Sequence, residues 1–284
     1  MEKWKQIDRH LKYLWRAQTK YQVHSPFVFE FINEVLEDDR EFYVFQELEW
    51  LREDLKESDA VIQKKDFGAG SKSENNPTTT VASIAKYNQS HPRTAQFLFK
   101  LTNRFKPKTM IELGTSLGIT TMYQAFGSTN GIMHSIEGCP STAIVARNII
   151  NDFEIDDTEI HKAKNIKIHT GIFENVLPKI LDEIKQLDYI FIDGNHKKEP
   201  TINYFEMCLP YIHNESVIVF HDIRWSEGMA AAWKEVKAHE RVKLTLEIYD
   251  FGVVFFRPEQ LEKQHFSLLP TKYKPLSKLS SFFK

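Results

Sequence analysis

Hydrophobic and polar positions divide the chain into two parts with different periods. Up to about residue 60, apolar residues such as Trp4, Ile7 and Leu11 recur at helical spacing. A second helical segment follows Ser25, which is placed as an N-cap before a proline at the first helical position. From about residue 107 onward, short apolar runs alternate with helix-compatible segments. This alternation predicts a mostly parallel sheet with helices on both faces.

The apolar runs predict seven strands, five of them at 109–114, 132–137, 165–170, 188–193 and 216–221. Two further runs flank residues 249–252 and resemble a hairpin that would add one antiparallel strand. Residues 66–80 are rich in Gly, Ser, Asn and Thr and are predicted to form either a plain connection or a lid. We expect helices near 117–127, 140–151, 173–185, 198–211 and 226–239.

Composition is that of a globular chain, with 42% apolar and 27% charged residues and a net charge of −2. This balance does not favour nucleic-acid binding. Charge is unevenly placed, because residues 1–24 carry six Lys or Arg against two acids and residues 259–284 carry five Lys against two Glu. Residues 30–59 carry twelve acids against three bases. These segments are either solvated faces, or the basic termini contact an anionic membrane surface or substrate.

The two cysteines, Cys139 and Cys208, have neither disulfide-framework nor metal-site spacing. No apolar run is long enough for a transmembrane helix, and the first ten residues contain no apolar signal core. We therefore expect a cytoplasmic protein.

The most informative segment is T-M-I-E-L-G-T-S-L-G at 109–118, an apolar strand that runs into a turn and then a helix. Such a turn makes a crevice for a small polar ligand at the carboxyl end of a strand. Gly114 permits a sharp turn and close ligand approach. Glu112 is an acid in an apolar strand, which is costly unless the carboxylate has a partner.

Polar residues stand at the ends of the next strands. Glu137 follows Gly114 by 23 residues, near the spacing at which an acid binds a ribose diol. The fourth strand ends in F-I-D-G-N-H, with Asp193 and His196, and the fifth ends at His221 and Asp222. We expect these groups to meet at one edge of the sheet. The turn has one glycine where a dinucleotide site would have G-x-G-x-x-G, which argues against NAD.

These motifs, E-L-G-T-S-L-G, F-I-D-G-N-H and V-I-V-F-H-D-I, resemble the class I S-adenosylmethionine-dependent methyltransferases, in the catechol and macrolide O-methyltransferase-like branch. The resemblance covers residues from about 95 to 257. It implies a Rossmann-like, doubly wound, seven-stranded, mostly parallel sheet with a C-terminal antiparallel hairpin strand. We accordingly divide the chain into an N-terminal helical extension and loop (1–80), a methyltransferase domain (81–258) and a basic C-terminal tail (259–284).

The resemblance also implies roles for single residues. The cofactor would be held at its methionine end by Glu112, Gly114, Thr115, Ser116 and Gly118, and at its ribose and adenosine by Glu137 and Gly138, with Asp193 nearby. The metal-dependent relatives hold a divalent cation such as Mg²⁺ at these strand ends, which here would use Asp193, His221 and Asp222. The chain departs from the relatives at Asp222-Ile223, where catechol-type enzymes have Asp-Asn, and at Gly171-Ile172, where many have Gly-Asp.

The expected activity is methyl transfer to a hydroxyl of a small molecule or sugar, with His196 or His221 as the base and Asp193 beside them. A metal-dependent hydroxylase on the same fold and a non-catalytic cofactor-binding protein remain alternatives. The expected partner is a small-molecule acceptor and not a nucleic acid. A homodimer is compatible with the sequence, which does not determine the oligomeric state.

Overall fold

An eight-stranded sheet forms the centre of the structure, a computed structural model that describes residues 2–63, 78–154, 165–259 and 262–274. Side chains are described from Ile7 onward. In chain order the strands are β1 (Val61–Gln63), β2 (Thr78–Thr80), β3 (Thr109–Leu113), β4 (Ile132–Glu137), β5 (Ile166–Thr170), β6 (Leu187–Ile192), β7 (Ile212–Phe220), β8 (Leu244–Ile248), β9 (Phe251–Phe255) and β10 (Gln264–Leu268).

The helices surround this sheet and begin at the N-terminus of the described chain. They are α1 (Glu2–Arg16), α2 (Pro26–Phe31), α3 (Tyr43–Lys56), α4 (Val81–Tyr87), α5 (Pro92–Phe105), α6 (Ile119–Gly127), α7 (Pro140–Asp152), α8 (Phe173–Ile184), α9 (Lys198–Cys208) and α10 (Glu227–Ala238). Helix α2 continues as a π-helical turn at Ile32–Leu36. The predicted N-cap is confirmed, because Ser25 Oγ accepts a hydrogen bond from the Val28 N–H with Pro26 at the first position.

The strand order is β10-β8-β9-β7-β6-β3-β4-β5. Only β9 runs against its neighbours: it pairs antiparallel with both β7 and β8, while every other pairing in this sheet is parallel. The predicted mostly parallel, doubly wound sheet with one antiparallel hairpin strand is therefore confirmed. The count is eight strands where seven were predicted, because residues 264–268 form the edge strand β10 within the segment that we expected to be a tail.

Both faces of the sheet are covered by helices. In β6, Ile190 points to the face where α8, α9 and α10 pack, and Phe191 points to the face covered by α2 and α5. All of the last four residues of β6 are buried, which explains why the sequence shows a continuous apolar run there. The N-terminal helical extension thus supplies a layer of the core.

A small two-stranded sheet stands beside the main one, where β1 pairs antiparallel with β2. Strand β2 occupies the end of the predicted 66–80 loop. The lid hypothesis depends on residues 64–77, which lie outside the described residues. Thr80 ends β2 and caps α4, since its hydroxyl accepts a hydrogen bond from the Ser83 N–H. This cap directs α4 toward the carboxyl edge of the main sheet.

Candidate active site

The turn after β3 is held by backbone contacts with the next two strands. Gly114 donates its N–H to Ile136 O at 3.0 Å, and Asp193 donates its N–H to Leu113 O at 3.0 Å. Gly114 has φ +106°, and a Cβ on it would lie 2.5 Å from Asp193 O. Only glycine fits this position, because both the dihedral angle and the space exclude a side chain. The ends of β3, β4 and β6 therefore meet at one point.

Glu112 lies beneath this turn and is fully buried. Its carboxylate accepts hydrogen bonds from Ser135 Oγ at 2.6 Å, from Gln124 Nε2 at 2.6 Å and from Thr121 Oγ1. Burial raises the pKa of Glu112 to about 7, while the hydrogen bonds from these three side chains oppose the rise. The predicted cofactor ligand Glu112 is thus engaged in an internal network and does not line the cavity described below.

Glu137, at the end of β4, bridges two loops through its carboxylate. Oε2 accepts the Ser116 N–H and Oε1 accepts the Cys139 N–H, both at 2.9 Å. Ser116 itself has φ +51°, a left-handed conformation that is uncommon for a residue other than glycine. The carboxylate thus fixes the loops on either side of it, and Glu137 lines the cavity described below.

Asp193 and His221 form a close pair at the ends of β6 and β7. Nδ1 of His221 lies 2.9 Å from Oδ1 of Asp193. Burial alone would lower the pKa of His221, but the Asp193 carboxylate and, more weakly, Asp222 and Asp250 raise it to about 9. Burial would likewise raise the pKa of Asp193, but the attraction to His221 holds it below its ordinary value. The pair is therefore an imidazolium–carboxylate ion pair at neutral pH.

Asp222 and His196 form a looser second pair beside the first. Nδ1 of His196 lies 3.6 Å from Oδ2 of Asp222. Asp222 has φ +55°, so its backbone is strained as is common in functional sites. Burial raises the pKa of Asp222 above its ordinary value, with Asp193 and Asp250 adding to the rise and the two histidines opposing it. The four predicted residues of the β6 and β7 ends are thus brought together.

These residues line one cavity of about 540 Å³, within the size range of small-molecule sites. Of the predicted cofactor residues, Gly114, Ser116, Glu137, Gly138 and Asp193 line it. Thr115 and Gly118 do not: Thr115 Oγ1 hydrogen-bonds to Ser135 Oγ at 2.6 Å, and a Cβ on Gly118 would contact the Ile150 side chain. Gly118 therefore allows the start of α6 to pack closely against α7.

Several lining residues were not identified from the sequence. Another wall comes from the end of α4 and the segment that follows it, and it includes Tyr87 and Gln89, whose Nε2 donates to Ser116 Oγ at 3.1 Å. At the other end Asn195 donates to Tyr204 OH at 3.2 Å, and that hydroxyl donates to Glu174 Oε1 at 2.7 Å. Asn195 follows Asp193-Gly194 at the end of β6 and has φ +60°. Its presence in the F-I-D-G-N-H motif is the sequence feature that could have identified it.

The predicted metal ligands Asp193, His221 and Asp222 lie side by side and contact one another in this arrangement. Nδ1 of His221 faces Asp193 Oδ1 at 2.9 Å, so this nitrogen and this oxygen are engaged with each other. Asp222 Oδ1 lies 4.0 Å from the same nitrogen, and its Oδ2 faces His196. In the part of the chain that the structure describes, no three His, Cys, Asp or Glu side chains are grouped to hold a metal ion. The imidazolium of His221 supplies the positive charge between the carboxylates.

A family model described as a methyltransferase domain matches residues 111–223, which begin in β3 and end just past Asp222. A catechol O-methyltransferase from Niastella koreensis is 28% identical over 134 residues, which are 46% of this chain and 57% of the relative. The chain thus spans just over half the length of that relative. The family match at residues 111–223 contains the ends of β3, β4, β5, β6 and β7.

Solved structures share the architecture over most of the chain. An O-methyltransferase from Bacillus cereus in complex with SAH has a TM-score of 0.52 at 19% identity and covers 81% of this chain and 97% of its own. The SAH-bound methyltransferase PaMTH1 from Podospora anserina has a TM-score of 0.54 at 13% identity and covers 83% and 97%. Likeness at this level shows the fold, and the family match covers the site. Residues 111–223 of this chain therefore match the methyltransferase-domain family model, and the described sheet has the fold of SAH-bound methyltransferases.

Proposed function

We propose that this protein transfers a methyl group from S-adenosylmethionine to a hydroxyl of a small molecule. The observation that carries the proposal is the convergence of Glu137, Asp193, His196 and Asp222 from three strand ends on one cavity. The catechol O-methyltransferase relative supports the hydroxyl as acceptor, as do the solved O-methyltransferases. The acceptor itself is proposed only as a class.

The cavity fits this cofactor by the chemistry of its lining. Glu137 offers carboxylate oxygens for two hydroxyls, and the Gly114 turn leaves backbone exposed for close approach. When bound, the cofactor supplies a methyl carbon on a positively charged sulfur. The protein's task is then to hold the acceptor oxygen in line with that carbon, so that most of the catalysis is positioning.

His196 is the proposed general base, because it is the cavity histidine that is free of a close ion pair. Its Nδ1 faces Asp222 Oδ2 at 3.6 Å, which leaves Nε2 to accept a proton from the acceptor hydroxyl. Asp222 orients the ring and stabilises the imidazolium that forms. The His221–Asp193 ion pair carries no net charge and fixes the part of the cavity lining next to Asp222.

We propose that this deprotonation needs no divalent cation, since the imidazolium of His221 occupies the position between the carboxylates. The same observation gives no support to the hydroxylase alternative, which would require a metal. Exhaustive chelation should leave the rate of methyl transfer unchanged, and a rate that collapses and returns with added Mg²⁺ would overturn this part of the proposal alone.

The central test uses purified protein, labelled S-adenosylmethionine and a panel of catechols, phenols and sugars. We expect a product heavier by one methyl group. His196→Gln should lower kcat by about a hundredfold or more, because general bases contribute on the order of 10² to 10⁴. The control is His239→Gln, a histidine on the far side of α10 whose ring packs on Phe205. Equal turnover of His196→Gln and wild type would show that the base is wrongly assigned, and cofactor binding without turnover would favour a non-catalytic protein.

The two cysteines are free and buried, which supports a reducing compartment, and we propose a cytoplasmic location on that basis. No helix among the described residues has the length and apolar character needed to cross a membrane.

A further inference from the structure

One carboxylate of the cavity has no part in the proposed reaction. Four acids line the cavity, namely Glu137, Glu174, Asp193 and Asp222. Glu137 is assigned to the ribose, and the two aspartates belong to the two histidine pairs. Glu174 is half-buried and lies in the first turn of α8. Because an ionised carboxylate only accepts hydrogen bonds, Glu174 would recognise a donor group on a bound ligand.

Glu174 is held in place by a chain of two hydrogen bonds. Tyr204 on α9 is fully buried and donates its hydroxyl to Glu174 Oε1 at 2.7 Å. The same hydroxyl accepts a hydrogen bond from Asn195 Nδ2 at 3.2 Å. The position of Glu174 at the start of a helix favours the ionised carboxylate. Among the described residues Oε2 has no hydrogen-bond partner, so it remains to accept one from a ligand.

The surface beside this carboxylate is apolar. Ile172 and Phe173 directly precede Glu174 and line the cavity with it. The Phe173 ring packs on Gly194, where an added Cβ would lie 2.4 Å from Phe173 Cε2. It also meets the Tyr204 ring edge-on, with the ring centroids 5.7 Å apart. An apolar face next to a single carboxylate matches a flat heteroaromatic ring that carries an amino group.

The strand order places this surface at the base end of the proposed cofactor site. The ends of β3, β4 and β5 follow one another along the edge of the sheet. Gly114 follows β3, Glu137 ends β4, and residues 171–174 follow β5. A cofactor with its methionine part at Gly114 and its ribose at Glu137 therefore extends its base toward residues 171–174. Ile172 has no hydrogen-bonding side chain, so Glu174 is the polar side chain that this segment offers.

We propose that Glu174 recognises the adenine base of S-adenosylmethionine by accepting a hydrogen bond from its 6-amino group, with Tyr204 as the positioning residue. The inference rests on the proposed function, because it requires this cofactor in the cavity. It assigns to Glu174 the preference for an amino group at carbon 6 of the base. A base with a carbonyl at that carbon would direct its oxygen at the carboxylate, and both groups are acceptors.

The test is calorimetric titration of the full chain with two ligands. One is S-adenosylhomocysteine and the other is S-inosylhomocysteine, which carries an oxygen in place of the 6-amino group. We expect the wild type to bind the adenosyl ligand about tenfold or more tightly than the inosyl ligand. Glu174→Gln should reduce this ratio of affinities at least about fivefold, because its side-chain amide can donate to the 6-oxo oxygen. Tyr204→Phe should reduce the ratio by a smaller factor, since the carboxylate loses the hydroxyl that orients it.

A matched control lies on the same helix. Glu183→Gln neutralises an exposed carboxylate near the end of α8 whose nearest cation, Lys167, is 3.9 Å away, so it should keep the wild-type ratio. Melting temperatures establish that each variant is folded, and the comparison of the two ligands on the wild type needs no variant. Equal binding of the two ligands by the wild type would overturn the assignment of Glu174 alone, as would a ratio that Glu174→Gln leaves unchanged. If neither ligand bound the wild type, the proposed function would fail and this inference with it.

Discussion

Glu137 shows how one carboxylate can organise a site. It accepts the N–H groups of Ser116 and Cys139, and it lines the cavity where two hydroxyls of a ribose would bind. We predict that Glu137→Ala weakens binding of S-adenosylhomocysteine about tenfold or more, because hydrogen bonds to charged groups contribute roughly 1.5–3 kcal/mol. Isothermal titration calorimetry measures this directly.

The control for Glu137 is Glu183→Ala, which removes an exposed carboxylate whose nearest cation, Lys167, is 3.9 Å away. It should bind the ligand as the wild type does. If Glu137→Ala also keeps the wild-type affinity, the ribose position must be assigned elsewhere.

Glu112 should make the stability of the protein depend on pH. Its pKa is raised from 4.5 to about 7 in the folded state, so between these values the folded protein holds a proton that the unfolded chain has lost. This contribution is fully present below about pH 4.5 and is lost as pH rises through about pH 7. The loss is on the order of 3 kcal/mol for a shift of this size.

Glu112→Gln removes this titration. We predict that the free energy of unfolding of the wild type, relative to the variant, falls between about pH 4.5 and about pH 7. Urea unfolding at several pH values measures the difference, and other titrating groups cancel because both proteins carry them. A difference that is flat over this interval would contradict the buried, proton-binding carboxylate.

At the scale of elements, the turn between β3 and α6 joins three strand ends. A Cβ at Gly114 would overlap Asp193 O, so Gly114→Ala must displace the end of β6, which carries Asp193 and Gly194. We predict a loss of at least about 2 kcal/mol in the free energy of unfolding, together with loss of cofactor binding. Chemical denaturation and calorimetry report the two effects.

Gly228→Ala is the matched control for the turn. Gly228 lies in the first turn of α10, where the nearest atom to an added Cβ is 3.6 Å away. Alanine there should stabilise the helix by about 0.5–1 kcal/mol, since glycine is the poorer helix former. If both glycine variants behaved alike, the special geometry at Gly114 would not matter.

Element prediction succeeded where burial leaves a pattern in the sequence. Strand β6 is buried on both faces, so its continuous apolar run predicted a strand. Strand β10 has the burial pattern of a half-covered edge strand, and its sequence did not predict one. The strand-end residues Asp193 and Asp222 could be expected to meet because parallel strands end at one edge. The contribution of Gln89 to the site could not be predicted, because its contact with Ser116 depends on how α4 and α5 pack across the cavity.

At the scale of the whole molecule, the segment after α1 and the segment at β10 are joined. The Gln18 N–H donates to Ser267 O at 2.7 Å, and the Leu269 N–H donates to Gln18 O at 2.9 Å, so the segment after α1 continues the sheet edge at β10. The sequence suggested a separate extension because its pattern is helical, and a separate tail because residues 259–284 are basic. Long-range pairing of this kind leaves no local pattern, which is why the joined segments could not be predicted.

Tyr13 tests whether the joined segments stabilise the whole fold. Its hydroxyl bonds to Leu268 O and to the Tyr249 N–H, so Tyr13→Phe would leave a backbone donor and acceptor unsatisfied. We predict a loss of about 1–3 kcal/mol in the free energy of unfolding, with a single transition retained. Tyr21→Phe is the control, because Tyr21 is 77% exposed. If Tyr13→Phe instead produced a separate early transition, α1 and β10 would unfold independently of the other strands of the sheet, and their contacts would not stabilise the rest of the fold.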